Sequence, residues 1–242
     1  MSNVMSDIIS TIIAQGAKEM NIELPPEAEA AFGAYYDFLE EHGKNVNLTA
    51  ITGAEDVARL HFLDSLALVN TADFESAKII DIGSGAGFPG VPLKIAIPSI
   101  DLTLLDSTGK RITFLSELCA RLDLQSSCIK ARAEEAAHLP ELREMYDIVG
   151  SRAVAKLNVL SELCLPFARK GGMLIAMKSV DSDDEVDEAK LAIETLGATL
   201  QESYDYKIPG TNLIHRAVII SKVEKTPEKY PRRFKKVQKE PL

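Results

Sequence analysis

Residues 78–90, KIIDIGSGAGFPG, pass from a short apolar run ending at Asp81 into a loop carrying Gly83, Gly85, Gly87 and Gly90. Such a loop has almost no side chains at its tip, so a ligand can lie close against the backbone. An apolar strand, a glycine loop and then a helix form the nucleotide-binding corner of a doubly wound α/β domain. A second apolar run, DLTLLD, ends in Asp106, twenty-three residues after Gly83. An acid at about that spacing meets ribose hydroxyls in such folds. The expected chemistry is that of an adenosine-containing cofactor.

Several cofactors share this corner. No Gly-Lys-Ser/Thr follows the loop, which excludes nucleotide hydrolysis by a P-loop. A dinucleotide site wants GxGxxG, with the pyrophosphate on free N–H groups at a helix start. Here the order is GxGxG, and Pro89 and Pro92 remove two donors near the helix beginning. S-adenosylmethionine has no phosphate and needs only close backbone approach plus hydrogen bonding to ribose and base. A methyltransferase is therefore favoured. A nicotinamide-dependent oxidoreductase on the same fold and a non-catalytic module binding RNA or a nucleotide are the alternatives.

The elements that position these residues fall into two patterns. Residues 1–75 read as a helical extension: Ile8, Ile9, Ile12 and Ile13 form one apolar stripe, and Phe32, Tyr35, Tyr36 and Leu39 another. Thr52 and Glu55 suggest a capping box for a third helix running to about Asn70. The Asn-rich segment KNVNLTAI (44–51) lies between. Residues 76–223 read as the main domain. Strands are expected near 78–82, 101–106, 127–131, 146–151, 172–178, 199–206 and 214–222, with helices near 91–97, 109–122, 155–168 and 183–196. The alternation implies a mostly parallel sheet covered on both faces, with the last two strands antiparallel. Seven such strands fit the Rossmann-like doubly wound α/β sheet of class I S-adenosylmethionine-dependent methyltransferases. The acidic run DSDDEVDE (181–188) reads as the first turn of a solvent-facing helix rather than a metal site.

The composition, 46% hydrophobic and 26% charged, is that of an ordinary globular protein. No apolar run approaches the roughly 18 residues a membrane span requires, and the N-terminus lacks the basic region of a signal peptide. Cys119, Cys128 and Cys164 show no CxxC pairing and read as reduced thiols, mostly buried. A cytoplasmic, monomeric protein without metal is expected. The net charge of −9 hides an asymmetry, because residues 222–242 carry eight Lys/Arg against three acids. The segment 224–242 reads as a basic tail, either an RNA-binding arm or a solvated extension.

The ordered blocks NLTAI (47–51), HFLDSL (61–66), DIGSGAGFPGVPL (81–93), LLDSTGKRITFL (104–115), SRAVAKL (151–157), GGMLIAMK (171–178) and YPRR (230–233) span nearly the whole chain. With them the chain resembles the bacterial small-subunit ribosomal RNA guanine-N(7) methyltransferase family, also called the glucose-inhibited division protein B family. The resemblance implies methyl transfer from S-adenosylmethionine to ring nitrogen 7 of one guanine in 16S ribosomal RNA, free or within the small subunit. It implies cofactor contacts from Gly83, Gly85 and Phe88, from Asp106, Ser107 and Thr108, from Ala133 and Glu134, and from Arg152. Two segments depart from the family pattern: Glu41-His42-Gly43-Lys44, and the tail after Arg233.

Guanine nitrogen 7 carries a lone pair and no proton, so attack on a sulfonium methyl needs positioning rather than a general base. No catalytic His or carboxylate is expected. His61 and Asp64 stand one helical turn apart and are read as a structural pair or as lining for the target pocket. Asp106 binds ribose or caps the amides of Thr108 or Gly109. Glu134 lies near adenine or simply suits a helix's first turn. Arg152 meets cofactor or phosphate, or pairs with an acid such as Asp147. Lys178 contacts RNA or the target base, or is an exposed strand-end lysine. Arg232, Arg233, Lys235 and Lys236 are expected to clamp phosphates, with Tyr230 and Phe234 stacking on bases and Arg59, Lys110 and Arg111 extending the surface.

Overall fold

A computed structural model describes residues 2–42 and 48–242. Gly43 and Lys44 of the Glu41-His42-Gly43-Lys44 segment and Asn47 of NLTAI lie outside the described residues.

The N-terminal layer follows the two apolar stripes. Helix α1 (Ser2–Glu19) buries Ile9, Ile12 and Ile13, and α2 (Ala28–His42) buries Phe32, Tyr35, Tyr36 and Leu39. The third helical stretch changes pitch along its length. It comprises α3 (Ala54–Val57), a π-helical segment Ala58–Leu63, α4 (Asp64–Leu66) and a 3₁₀ turn Ala67–Thr71. The expected capping box does not form. Gly53, at φ 89°, is the N-cap residue and no side chain caps it. Thr52 therefore falls one residue too early, and Glu55 one position short of where a box requires it.

The main domain runs β1 (Lys78–Ile82), α5 (Gly90–Ala96), β2 (Asp101–Asp106), α6 (Gly109–Arg121), β3 (Ser126–Lys130), α7 (Ala133–Ala136), β4 (Tyr146–Arg152), α8 (Leu157–Cys164), β5 (Ala168–Ser179), α9 (Asp183–Thr195), β6 (Ala198–Leu200), β7 (Tyr204–Lys207) and β8 (Ile214–Lys222). The sheet order is β3-β2-β1-β4-β5-β8-β6, with β7 also on β8. β1 to β5 pair in parallel and β8 antiparallel to β5. The segment expected as one strand over 199–206 is two, since β6 pairs with one end of β8 and β7 with the other. The sheet thus has eight strands in seven positions. The helix expected to reach 168 ends at Cys164, because Pro166 in the following 3₁₀ turn cannot continue it; β5 accordingly starts at Ala168.

Side-chain alternation along the strands divides the core in two. Ile79, Leu102, Leu104, Ile175 and Met177 face α5, α6 and the N-terminal helices. Ile80, Ile82, Leu105, Leu174 and Ala176 face α8, α9 and the C-terminal segment. That segment is no free tail: Tyr230 and Val237 are buried, and α10 (Phe234–Lys239) packs beside α8. None of the described helices is long and apolar enough to cross a membrane. All three cysteines are free.

Candidate functional site

The strand order reverses between β1 and β4, the position at which open α/β sheets bind ligands beyond their carboxyl ends. The glycine loop leaves β1 there, with Gly83 at φ 73° and Gly87 at φ 104°. A Cβ at Gly83 would come within 2.6 Å of Val154 Cγ2, and one at Gly87 within 2.7 Å of the Tyr35 hydroxyl. The loop is thus pressed between the segment after β4 and the N-terminal layer. Tyr35 fixes it by donating to the Ala86 carbonyl at 2.5 Å.

Except for Ala86 N, the loop's own donors are occupied. Gly83 and Ser84 donate to Leu105 O, Gly87 and Phe88 to Ser84 O, and Val91 to Gly87 O. Gly85 N donates to Asp106 at 3.2 Å and Gly90 N to Asp81 at 3.0 Å. With Pro89 and Pro92 lacking N–H, the helix start offers no nest for a pyrophosphate. This removes the structural basis for a nicotinamide dinucleotide. Burial drives the Asp81 carboxyl up to about 7, against the opposing Gly90 N–H, and its Oδ1 has no partner among the described residues.

A cleft of about 280 Å³ opens over this edge. It is lined by Gly83, Asp106, Ser107, Ala133, Glu134 and Arg152 among the residues expected at the site. Ala131, Leu163 and Phe234 add apolar wall, and Arg111 and Arg132 add charge. Asp106 is almost wholly buried and accepts from Thr108 N at 2.8 Å and from Arg111 Nη1 at 3.3 Å. The amide cap and the acceptor facing the cleft therefore coexist in one carboxylate. Thr108 and Gly85 support Asp106 through their amides and do not line the cleft. Phe88 lies beneath it, stacked on Tyr35 and His61. An acceptor beside apolar walls, with no anion nest, fits an uncharged ribose and an adenine ring. Asp106 would hold the ribose of S-adenosylmethionine, and Ala131, Ala133 and Phe234 its base.

Arg152 closes the cleft on its other side and does not pair with Asp147, which takes Arg169 and the Lys78 amide instead. Its Nη1 donates to Asp64 and Leu60 O, both at 3.1 Å, its Nη2 to His61 Nδ1 at 2.7 Å, and the guanidinium lies over the Phe88 ring at 4.9 Å. An arginine only donates, so His61 carries its proton on Nε2 and gives it to Thr49 Oγ1 at 2.7 Å. Burial, helped by Arg152, lowers His61 to about 3 and keeps it neutral. Asp64 also accepts from the Tyr206 hydroxyl and is bonded to His215 Nδ1, each at 2.8 Å. Asp64 thereby raises His215. His61 and Asp64 do not bond to each other; both converge on Arg152.

A second cavity of about 560 Å³ shares Arg152 and Ala153 with the cleft. His61, Asp64, Met177, Lys178 and His215 line it. Lys178 is not an exposed strand end. It donates to Ala155 O at 2.7 Å and pairs with Glu185. Glu185, from the run expected to face solvent, turns inward to Lys178 and also accepts from Leu157 N.

The basic residues separate by role. Arg232 is clasped by Glu162, a fully buried acid, through its amide at 2.7 Å and its guanidinium at 2.6 Å. It serves as an anchor, and buried Tyr230 cannot stack on bases. Arg59 is turned toward Pro209 O and Arg111 toward Asp106. Arg233, Lys235, Lys236 and Lys110 are exposed. Sequence reasoning missed Arg111, Arg132 and Phe234 as cleft residues. Arg111 lies five positions after Asp106 on the opening of α6, a local signal, whereas Phe234 reaches the cleft only through tertiary docking.

The sequence matches the profile of the family described as rRNA small subunit methyltransferase G, GidB, over residues 28–213. The ribosomal RNA small subunit methyltransferase G of Desulforamulus reducens is 45% identical over 240 residues, covering 98% of this chain and 100% of that protein. Its counterpart in Staphylococcus aureus is 44% identical over 232 residues, covering 95% and 97%. Among solved structures, a methyltransferase from Pyrococcus furiosus aligns with a TM-score of 0.53 at 12% identity over 66% of this chain and 81% of that one. A SAM-dependent methyltransferase from Aquifex aeolicus aligns with 0.50 at 17% identity over 68% and 92%. These two show the fold, and the full-length relatives show the kinship. The chain belongs to the rRNA small subunit methyltransferase G family.

Proposed function

We propose that this chain methylates ring nitrogen 7 of one guanine in 16S ribosomal RNA, with S-adenosylmethionine as donor. The observation that carries the cofactor half is the Asp106 carboxylate facing a cleft whose neighbouring helix start has no free N–H groups. S-adenosylmethionine, when bound, supplies an electrophilic methyl group. The rest falls to the chain. Asp106 holds the ribose, with Ser107 and Glu134 at the cleft edge and Gly83 allowing close approach to the backbone. The second cavity, joined to the cleft at Arg152 and Ala153, receives the guanine. Arg152, His61 and Asp64 fix its wall, and Lys178 stands at its rim. The nucleophilic nitrogen has no proton to lose, so alignment and exclusion of water are what these residues contribute.

Arg233, Lys235 and Lys236, with Lys110, present charge to the phosphate backbone, and local opening of the RNA brings the base inward. The test is transfer of labelled methyl from S-adenosylmethionine to unmodified 16S RNA and to small subunits, with the labelled base mapped. Label at nitrogen 7 of a single guanine is expected. Cofactor binding without label on RNA or particle would remove the substrate and leave the fold.

A further inference from the structure

The C-terminal helix belongs to two sites at once. Its first residue, Phe234, lines the cofactor cleft together with Ala131 and Ala133. Its outer face shares a groove of about 650 Å³ with Arg132, His138 and the acids Glu134 and Glu135, in which Arg233 and Lys235 are exposed. Lys236 and Lys239 extend the exposed charge along the helix.

Phe234 is not placed by its own helix alone, which is six residues long. The segment before it is tied down along its length. Arg143 donates to Thr226 O and Tyr230 O, both at 2.9 Å. His138 Nε2 is bonded to Pro231 O at 2.9 Å, and Arg232 is locked on buried Glu162. Past Phe234, Val237 is fully buried. The guanidinium of Arg132, the residue between Ala131 and Ala133, lies 5.8 Å from the Phe234 ring. These anchors hold the helix near the cleft, while Arg233, Lys235, Lys236 and Lys239 place several like charges on its outer face, met across the groove by Glu134 and Glu135. A polyanion along that face relieves the repulsion and holds the ring where it is.

We propose that this segment couples the two substrates: RNA phosphates engaged by Arg233, Lys235 and Lys236 hold Phe234 against the adenine ring, so that RNA tightens the cofactor and the cofactor tightens RNA. This rests on the assignment of the cleft to S-adenosylmethionine and of the basic face to RNA. Linkage requires the factor to be the same in both directions.

The experiment is calorimetric binding of S-adenosylhomocysteine, a probe that cannot react, to the full chain with and without saturating unmodified 16S RNA. RNA should tighten the probe on the order of fivefold or more, the lower end of common coupling factors. Phe234→Ala should weaken the probe and abolish the RNA-dependent gain, while Phe234→Tyr, which keeps a ring, should restore both. A doubly substituted Lys235→Glu/Lys236→Glu chain should lose the gain. Equal probe affinity with and without RNA in the wild-type chain would overturn the coupling and leave the cofactor and RNA assignments standing. Wild-type affinity in Phe234→Ala would remove the ring from the site. Failure of the wild-type chain to bind probe at all would overturn the cleft assignment together with the coupling.

Discussion

Arg152 donates to Asp64 at 3.1 Å, joining the end of β4 to the N-terminal helical layer where, with Ala153, it borders both the cleft over the strand ends and the second cavity. The N-terminal extension thus contributes His61 and Asp64 to the wall of the second cavity. The Arg152–Asp64 pair is largely buried, with 17% and 3% of the two side chains exposed, and it is embedded in further bonds to His61, Tyr206 and His215.

Removing Arg152 would take the guanidinium from Asp64 Oδ2, leaving that carboxylate only Tyr206 and His215, and would leave His61 Nδ1 and Leu60 O without their donor. Breaking one partner of a buried pair costs about 3 to 5 kcal/mol. Arg152→Ala should therefore lower unfolding stability by about 3 kcal/mol in urea titration, and lose methyl transfer. Arg152→Lys, with a point charge in place of a planar fork, should recover only part of either. Stability equal to wild type in Arg152→Ala would show that the network carries no such weight.

Asp106→Ala tests the cleft more directly. A hydrogen bond to a charged group contributes about 1.5–3 kcal/mol, so loss of the ribose contacts should weaken S-adenosylhomocysteine by on the order of tenfold to a hundredfold in calorimetry. Asp106→Asn keeps one acceptor oxygen and should fall between. RNA affinity, measured without cofactor, should survive in both.

The two neighbouring arginines of the YPRR block should behave in opposite ways. Arg232→Ala leaves Glu162, at 0% exposure, unpaired and should destabilise the fold by about 3 kcal/mol or more. Arg233→Ala should leave stability within about 0.5 kcal/mol of wild type. It should instead reduce the salt dependence of RNA binding by roughly one unit of slope, as expected for one lost phosphate contact. Filter binding across a salt series and thermal unfolding of both variants decide the matter.

That contrast also marks what the sequence could reveal. The parallel strands, the glycine loop and the place of Asp106 at the end of β2 were legible because each rests on local periodicity or on spacing within one βαβ unit. The Glu162–Arg232 clasp joins residues 70 apart, and the helical spacing of residues 157–164 gives no hint that Glu162 points inward. Likewise His61 and Asp64 look like a pair at i and i+3, yet the π-helical turn and Arg152 separate them into two partners of a third residue. Phe234 reads as an RNA-stacking aromatic in a basic tail, and only the docking of that tail places it in the cleft. The sites that follow one element's geometry were visible; those made by elements meeting were not.

Two buried groups make stability depend on pH in opposite senses. His61 titrates at about 3 in the fold against an ordinary 6.5. Between those values the unfolded chain binds the extra proton, so stability falls as pH is lowered through that range. Asp81 titrates at about 7 against an ordinary 3.8. The folded chain holds that proton in between, so stability falls as pH rises toward and through 7. In the wild-type chain the two slopes oppose each other across the shared range and mask one another. Single substitutions separate them. His61→Gln, which can still accept from Arg152 and donate to Thr49, should gain on wild type as pH drops from 6.5 to 4. Asp81→Asn should gain on wild type between pH 4 and 8. Urea unfolding of the three chains at pH 4.5, 6 and 8 reads both differences. A constant offset between Asp81→Asn and wild type across that series would mean that the Asp81 carboxyl is already ionised in the fold, and the buried proton would be disproved.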